Sequence, residues 1–169
     1  MSRPRWYPAY IGIGSNLDSP AVQVERGIQA LRSVDDSMLI AHSGFYRSKP
    51  VGITDQPDFV NAVASMLTQL DAHELLAALN AIEDDHGRVR DGPRWGPRIL
   101  DLDLLSYGSA SLGDEMLVLP HPRILERNFV LLPWQEIAPH YMVPGLSTVA
   151  ELAGMLDEGD SGLVRLDAD

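Results

Sequence analysis

The sequence predicts an α+β fold, a mainly antiparallel sheet with helices packed on one of its faces. Three observations predict it. Short runs of strand composition at 10–14, 38–48, 59–67 and 99–107 surround just two amphipathic stretches. Each of those stretches opens on helix-capping residues. The resulting order, β-α-β-β-α-β, is the ferredoxin-like arrangement.

Tyr10-Ile11-Gly12-Ile13-Gly14 is apolar and short enough for a buried strand, ending at Ser15-Asn16. Ser19-Pro20 supplies an N-cap with proline at the first helical position. Ala21, Val24, Ile28 and Leu31 then recur at helical spacing, which carries a helix to about Ser33. Met38 to Ser48 has strand composition, Lys49 to Pro57 is a loop with proline at both ends, and Phe59 to Leu67 alternates as a strand. Asp71 with Glu74 forms a capping box before the stripe Leu75, Leu79, Ile82, and Gly87 is a natural stop. An arginine-rich loop, Arg88 to Pro97, leads to a strand at Ile99 to Tyr107. Beyond Gly108 the sequence predicts a short strand near Leu117, a turn at Pro120-His121-Pro122, and helices at Val130 to Ile137 and Thr148 to Met155.

The 169 residues fit a single domain, with the motifs between about 9 and 138 and an acidic tail from 157 to 169 read as loose. The formal net charge of −11 excludes a broadly basic, nucleic-acid-binding surface, so any polyphosphate site must concentrate its positive charge locally. With 0 cysteines the chain has no disulfide, thiolate metal site or cysteine nucleophile, which suits a cytoplasmic protein. No apolar run is long enough for a membrane span, and no signal peptide is evident.

Asp101 and Asp103 sit two apart in a predicted strand, on one face, about 6.6 Å apart along it. Two carboxylates in the apolar run Ile99 to Leu105 repel each other and lose hydration, and divalent cations remove both problems. Hard oxygen ligands suit magnesium, and aspartates can hold two ions about 3.5–4 Å apart. On its own the pair reads equally well as an exposed edge strand. Its context is Arg88, Arg90, Arg94 and Arg98, four of the chain's 13 basic residues within eleven positions. Arginine's planar fork suits phosphate oxygens, and Trp95 adds a flat apolar surface. No phosphate-binding glycine-lysine loop precedes Lys49, the chain's single lysine, and Gly12-x-Gly14 lacks the third glycine of a dinucleotide fingerprint. Triphosphate binding then rests on metal, arginine and histidine.

Phe59 and Asn61 project from one strand face, an aromatic ring beside an amide that matches a heterocycle's edge; a core phenylalanine with a bonded neighbour is the simpler reading of the pair alone. Phe129 is a candidate for the opposite wall. His121, fixed between Pro120 and Pro122, is followed by Arg123 and Arg127, which keep a phosphate reading open.

Arg94-Trp95-Gly96-Pro97-Arg98-x-x-Asp101-Leu102-Asp103-Leu104-Leu105 resembles the signature of the hydroxymethyl-dihydropterin pyrophosphokinases. The resemblance extends in order through Tyr10 to Leu17, Phe45 to Ser48, Gln56 to Asn61, Gly87 to Arg90 and Pro120 to Pro122. It implies transfer of the pyrophosphoryl group of ATP, the co-substrate, to 6-hydroxymethyl-7,8-dihydropterin, with release of AMP, by a monomer in the cytoplasm. It implies that Asp101 and Asp103 hold two Mg2+ ions, with Arg88 and Arg98 catalytic beside them. Glu83, Arg88, Arg90, Trp95, Arg98, Leu104, His121 and Arg127 fall at its ATP-binding positions. Ser48, Val51, Phe59, Asn61, Trp95, Asp101 and Phe129 fall at its pterin-binding positions, and loops 48–56 and 88–97 at its lids. The chain departs from the pattern at Met116 and Asp91, where relatives are often more basic, and at Phe59, where tyrosine also occurs. Two other classes fit the same aspartate pair: a two-metal nucleotidyltransferase and a non-catalytic ferredoxin-like small-molecule binder.

Overall fold

In the computed structural model, which describes residues 3–88, 96–156 and 162–166, strand β1 (Tyr7–Ser15) forms the middle of the sheet. It pairs antiparallel with β4 (Phe59–Thr68) along its whole length and with β5 (Asp101–Tyr107) on its other side. The outer edge of β4 is shared. Its C-terminal half pairs with β2 (Ser37–His42), and its N-terminal end with β3 (Tyr46–Ser48). The sequence reads 38–48 as one run, and the structure divides it at Ser43. There the Val63 N–H donates to Ser43 Oγ at 2.9 Å instead of to a strand carbonyl, so the ladder breaks and restarts.

Helices α1 (Pro20–Leu31) and α2 (Ala72–Asp85) cover one face. Val24, Ile28, Leu31, Leu75 and Leu79 pack there against Ile11, Ile13, Ala62, Leu102 and Leu104. The two helices of the βαββαβ core thus share one face, as expected, and the C-terminal helices add a further layer. Helices α3 (Asn128–Ile137) and α4 (Val149–Gly154) pack on the other face, where Trp134 is fully buried among Val63, Leu105, Leu131 and Val149. The apolar content of these late segments is what demands that second layer.

The caps divide. Asp71 and Glu74 form the expected box, with Glu74 N donating to Asp71 Oδ1 at 2.8 Å and Asp71 N to Glu74 Oε2 at 3.0 Å. Ser19 holds the N-cap position of α1 but lies in the left-handed region, φ 63°, and its hydroxyl makes no cap bond. Gly87, φ 84°, ends α2 as expected. Its N–H bonds Asp84 O and that of Arg88 bonds Glu83 O, both at 3.1 Å, a Schellman turn that swings Arg88 back over the helix. A small hairpin of β6 (Leu112–Gly113) and β7 (Val118–Leu119), and a 3-10 turn at Ile124–Glu126, carry the chain to α3. The tail also departs from expectation, since β8 (Val164–Arg165) pairs with β3 at the sheet's edge.

Candidate functional site

The strand registers build the site. Gly12 lies between Asp103 and Val63, and Gly14 between Asp101 and Asn61. Residues directly opposite share a face, so both aspartates, Asn61 and (two residues along) Phe59 rise around a floor of glycine. A Cβ at Gly14 would stand 3.3 Å from Asn61 Oδ1 and 3.8 Å from Phe59 Cδ1. The glycines therefore keep the floor low.

Over this floor lies a cavity of about 310 Å³. Ser48, Lys49 and Val51 wall one side, Arg127, Phe129 and Val130 roof it, and Arg88, Arg98 and Arg123 bring positive charge. Phe59 and Phe129 thus line it from opposite layers. Asn61 Nδ2 donates to Ser48 Oγ at 2.7 Å and to Tyr46 O at 3.3 Å, which fixes its amide. A second cavity, about 350 Å³, runs along the outer edge of β5 between α2 and residues 114–122. Leu76, Asn80, Glu83, Leu104, Met116 and His121 line it. Arg88, Asp101 and Asp103 border both cavities.

Charges are concentrated at that border. Arg88 Nη1 donates to Asp101 Oδ1 at 2.7 Å and to Glu83 Oε2 at 2.9 Å, and Leu102 N donates to the same Glu83 oxygen at 2.9 Å. Arg127 Nη1 reaches Asp103 Oδ2 at 3.3 Å and its guanidinium lies 5.6 Å from the Phe129 ring centre. Burial, opposed by the Leu102 N–H, pushes the Glu83 carboxyl up to about 7. Burial and then the neighbouring Asp101 charge likewise push Asp103 up to about 7, against the pull of Arg127. His121 moves the other way, to about 4, because burial and the Arg127 charge both disfavour imidazolium. Its Nδ1 accepts the Arg123 N–H at 3.2 Å, which places the neutral ring's proton on Nε2.

The residues fit a divalent cation and a polyphosphate. Two hard carboxylates share a face and border, and crowding holds their charge at a cost that a cation would remove. Among the described residues no cluster of three or more acidic or histidine ligands exists, so water or substrate oxygens would complete any coordination shell. Buried Arg88 Nε has no hydrogen-bond partner among the described residues, a donor suited to an anion.

The structure brings together Ser48, Val51, Phe59, Asn61, Asp101 and Phe129 at the first cavity, and Glu83, Leu104 and His121 at the second. Arg88 and Asp103 belong to both, while Arg98 and Arg127 line the first. Arg90, Asp91, Arg94 and Trp95 lie outside the described residues. Sequence reasoning passed over Asn16, which is buried at the end of β1. Its Nδ2 donates to Gln56 Oε1 and Pro57 O, both at 2.9 Å, and its Oδ1 accepts the Arg98 N–H at 2.8 Å. One amide thereby ties both loops that flank the site. The one available signal was an amide where the strand run stops, in Gly14-Ser15-Asn16.

Comparison with known proteins agrees with this geometry. The family profile described as 7,8-dihydro-6-hydroxymethylpterin-pyrophosphokinase (HPPK) matches residues 10–139. A 2-amino-4-hydroxy-6-hydroxymethyldihydropteridine pyrophosphokinase of Haemophilus influenzae is 44% identical over 144 residues, 85% of this chain and 89% of that protein. One of the same name from Methylorubrum extorquens is 42% identical over 94% of this chain and 98% of that protein. In fold, a crystal structure of wild-type Plasmodium falciparum HPPK-DHPS with pteroate superposes with a TM-score of 0.71 at 14% identity. The match covers 91% of this chain but 43% of that one, so the chain spans less than half of the two-part protein. With the profile spanning both cavities and every described motif, the chain belongs to the 7,8-dihydro-6-hydroxymethylpterin-pyrophosphokinase family.

Proposed function

We propose that the chain transfers the pyrophosphoryl group of ATP to the hydroxymethyl group of 6-hydroxymethyl-7,8-dihydropterin, releasing AMP, in folate synthesis. The observation that carries this reading is the meeting of two cavities at Arg88, Asp101 and Asp103. The cavity between Phe59 and Phe129 is shaped for a flat heterocycle, with the Asn61 amide at its edge. The cavity along β5 takes the nucleotide, so that the two substrates face each other across the carboxylates.

The pterin hydroxyl attacks the β-phosphorus in line, and the bond from that phosphorus to the α–β bridging oxygen breaks. Asp101 and Asp103 would hold magnesium, which would neutralise phosphate charge there. Arg88 is permanently cationic, so it pairs with phosphate oxygens while Glu83 keeps it in place. His121 donates from Nε2 as a neutral group. Arg98 and Arg127 reach phosphates from the acceptor side. Catalysis here is positioning and electrostatics, because phosphoryl groups need little covalent help from protein. Zero cysteines, and no described helix long and apolar enough to cross a membrane, support a cytoplasmic location.

The test is product analysis after incubation with ATP, magnesium and the hydroxymethyl pterin. The expected products are AMP and the pterin diphosphate. ADP as product, or AMP attached to the pterin, contradicts the reading.

A further inference from the structure

We infer that Arg165, on the C-terminal strand β8, is a positioning residue that holds together the two walls of the first cavity and so sets affinity for the pterin. The inference rests on that cavity being the pterin site.

β8 lies at the outer edge of the sheet beside β3, with Tyr46 opposite Arg165 and Arg47 opposite Val164. Leu166 N donates to Phe45 O at 2.8 Å, which continues the pairing. The β3 strand ends at Ser48, whose Oγ, with Tyr46 O, orients the Asn61 amide. Arg165 itself turns to the opposite wall. Its Nη2 donates to Glu136 Oε1 at 2.9 Å, and its Nε lies 3.5 Å from Oε2. Glu136 also accepts the Tyr46 hydroxyl at 2.6 Å and the Gly44 N–H at 3.0 Å.

Glu136 belongs to α3, seven residues after Phe129, and so stands two turns along on the same side of the helix. Pro133 lies between them and cannot donate the hydrogen bond that residue 133 would make to Phe129 O. The first turn of α3 is thereby loosened from the rest, and its placement depends more on outside ties. The Glu136 node is such a tie, joining α3 to β3. An exposed ion pair contributes little by itself. This carboxylate, however, collects three donor residues from two segments, Gly44 and Tyr46 on one and Arg165 on the other, a fixed geometry that a lone pair lacks. The tail adds a second contact, since a Cβ at Gly162 would stand 3.6 Å from Lys49 Cδ, and Lys49 lines the cavity next to Ser48.

Arg165→Ala tests the idea in the full chain, with pterin and ATP affinities measured separately by calorimetry and by steady-state kinetics. The expected result is a pterin Kd and KM raised roughly threefold to thirtyfold, with kcat and the KM for ATP within about twofold of wild type. Arg165→Lys keeps the charge but not the fork and should fall between the two. Gly44→Ala should reproduce the effect without altering the tail, because its Cβ would stand 2.7 Å from Arg165 Nη2 and displace it. An unchanged pterin Kd in Arg165→Ala, or equal losses for both substrates, overturns the inference. Wild-type protein that binds no pterin overturns the functional reading beneath it instead, which separates the two failures.

Discussion

Gly14 marks how closely the acceptor site is drawn. Its missing Cβ leaves Asn61 Oδ1 in place over the floor of the cavity, and a methyl group there would meet that oxygen at 3.3 Å. Contacts that tight force the neighbour to move by a few tenths of an ångström, a shift that strains the 2.7 Å bond from Asn61 Nδ2 to Ser48 Oγ. Gly14→Ala should therefore raise the pterin Kd by roughly tenfold, the value of one misplaced hydrogen bond, and leave nucleotide binding unaltered. Calorimetry with each ligand alone checks it, and equal affinity for the pterin would show that Asn61 has room to adapt. That Phe59 and Asn61 share a face was legible in sequence, because period-two alternation sets residues two apart on one side of a strand. The role of Asn16 was not, because its partners Gln56, Pro57 and Arg98 are about forty or more positions away and only the folded loops bring them near.

Among the elements, α2 connects fold to chemistry most directly. Its apolar stripe fixes it against β5, its buried Glu83 bonds the Leu102 N–H, and its C-terminal turn delivers Arg88 to Asp101. That turn requires Gly87 at φ 84°, where a Cβ is strained. Gly87→Ala should cost about 1–2 kcal/mol, read as a fall in Tm of roughly 2–8 °C. It should also lower kcat/KM for ATP beyond what the lost stability explains, since Arg88 is displaced. A lower Tm with unaltered kinetics would separate the turn from the site. The helices α1 and α2 were readable because capping residues and a 3.6-residue stripe coincide in each. The division of 38–48 was hidden in a hydroxyl, that of Ser43, which replaces a backbone acceptor. The pairing of β8 escaped for a similar reason: two strand residues in an acidic tail carry no periodicity, and an edge strand gains its stability from the neighbour it finds.

At the scale of the molecule the sheet has one face given to packing and one that carries a cavity. One face and its helices form a continuous core; on the other, α3 and α4 cover the sheet only partly and leave the first cavity above Gly12 and Gly14. The second cavity lies along the edge of β5, and the strand's own aspartates reach both. This sharing was foreshadowed in the sequence by arginines next to paired acids, but the presence of two cavities needed the tertiary structure, because α2, the 114–122 segment and α3 form their walls. The most direct test of that arrangement is Asp103→Asn, which keeps size and removes one carboxylate charge at the border. Turnover should fall by roughly a hundredfold to a thousandfold or more, with the pterin Kd and Tm close to wild type, since the change removes a crowded charge and no packing. A wild-type rate of AMP formation in this variant would contradict a shared carboxylate centre between the two cavities.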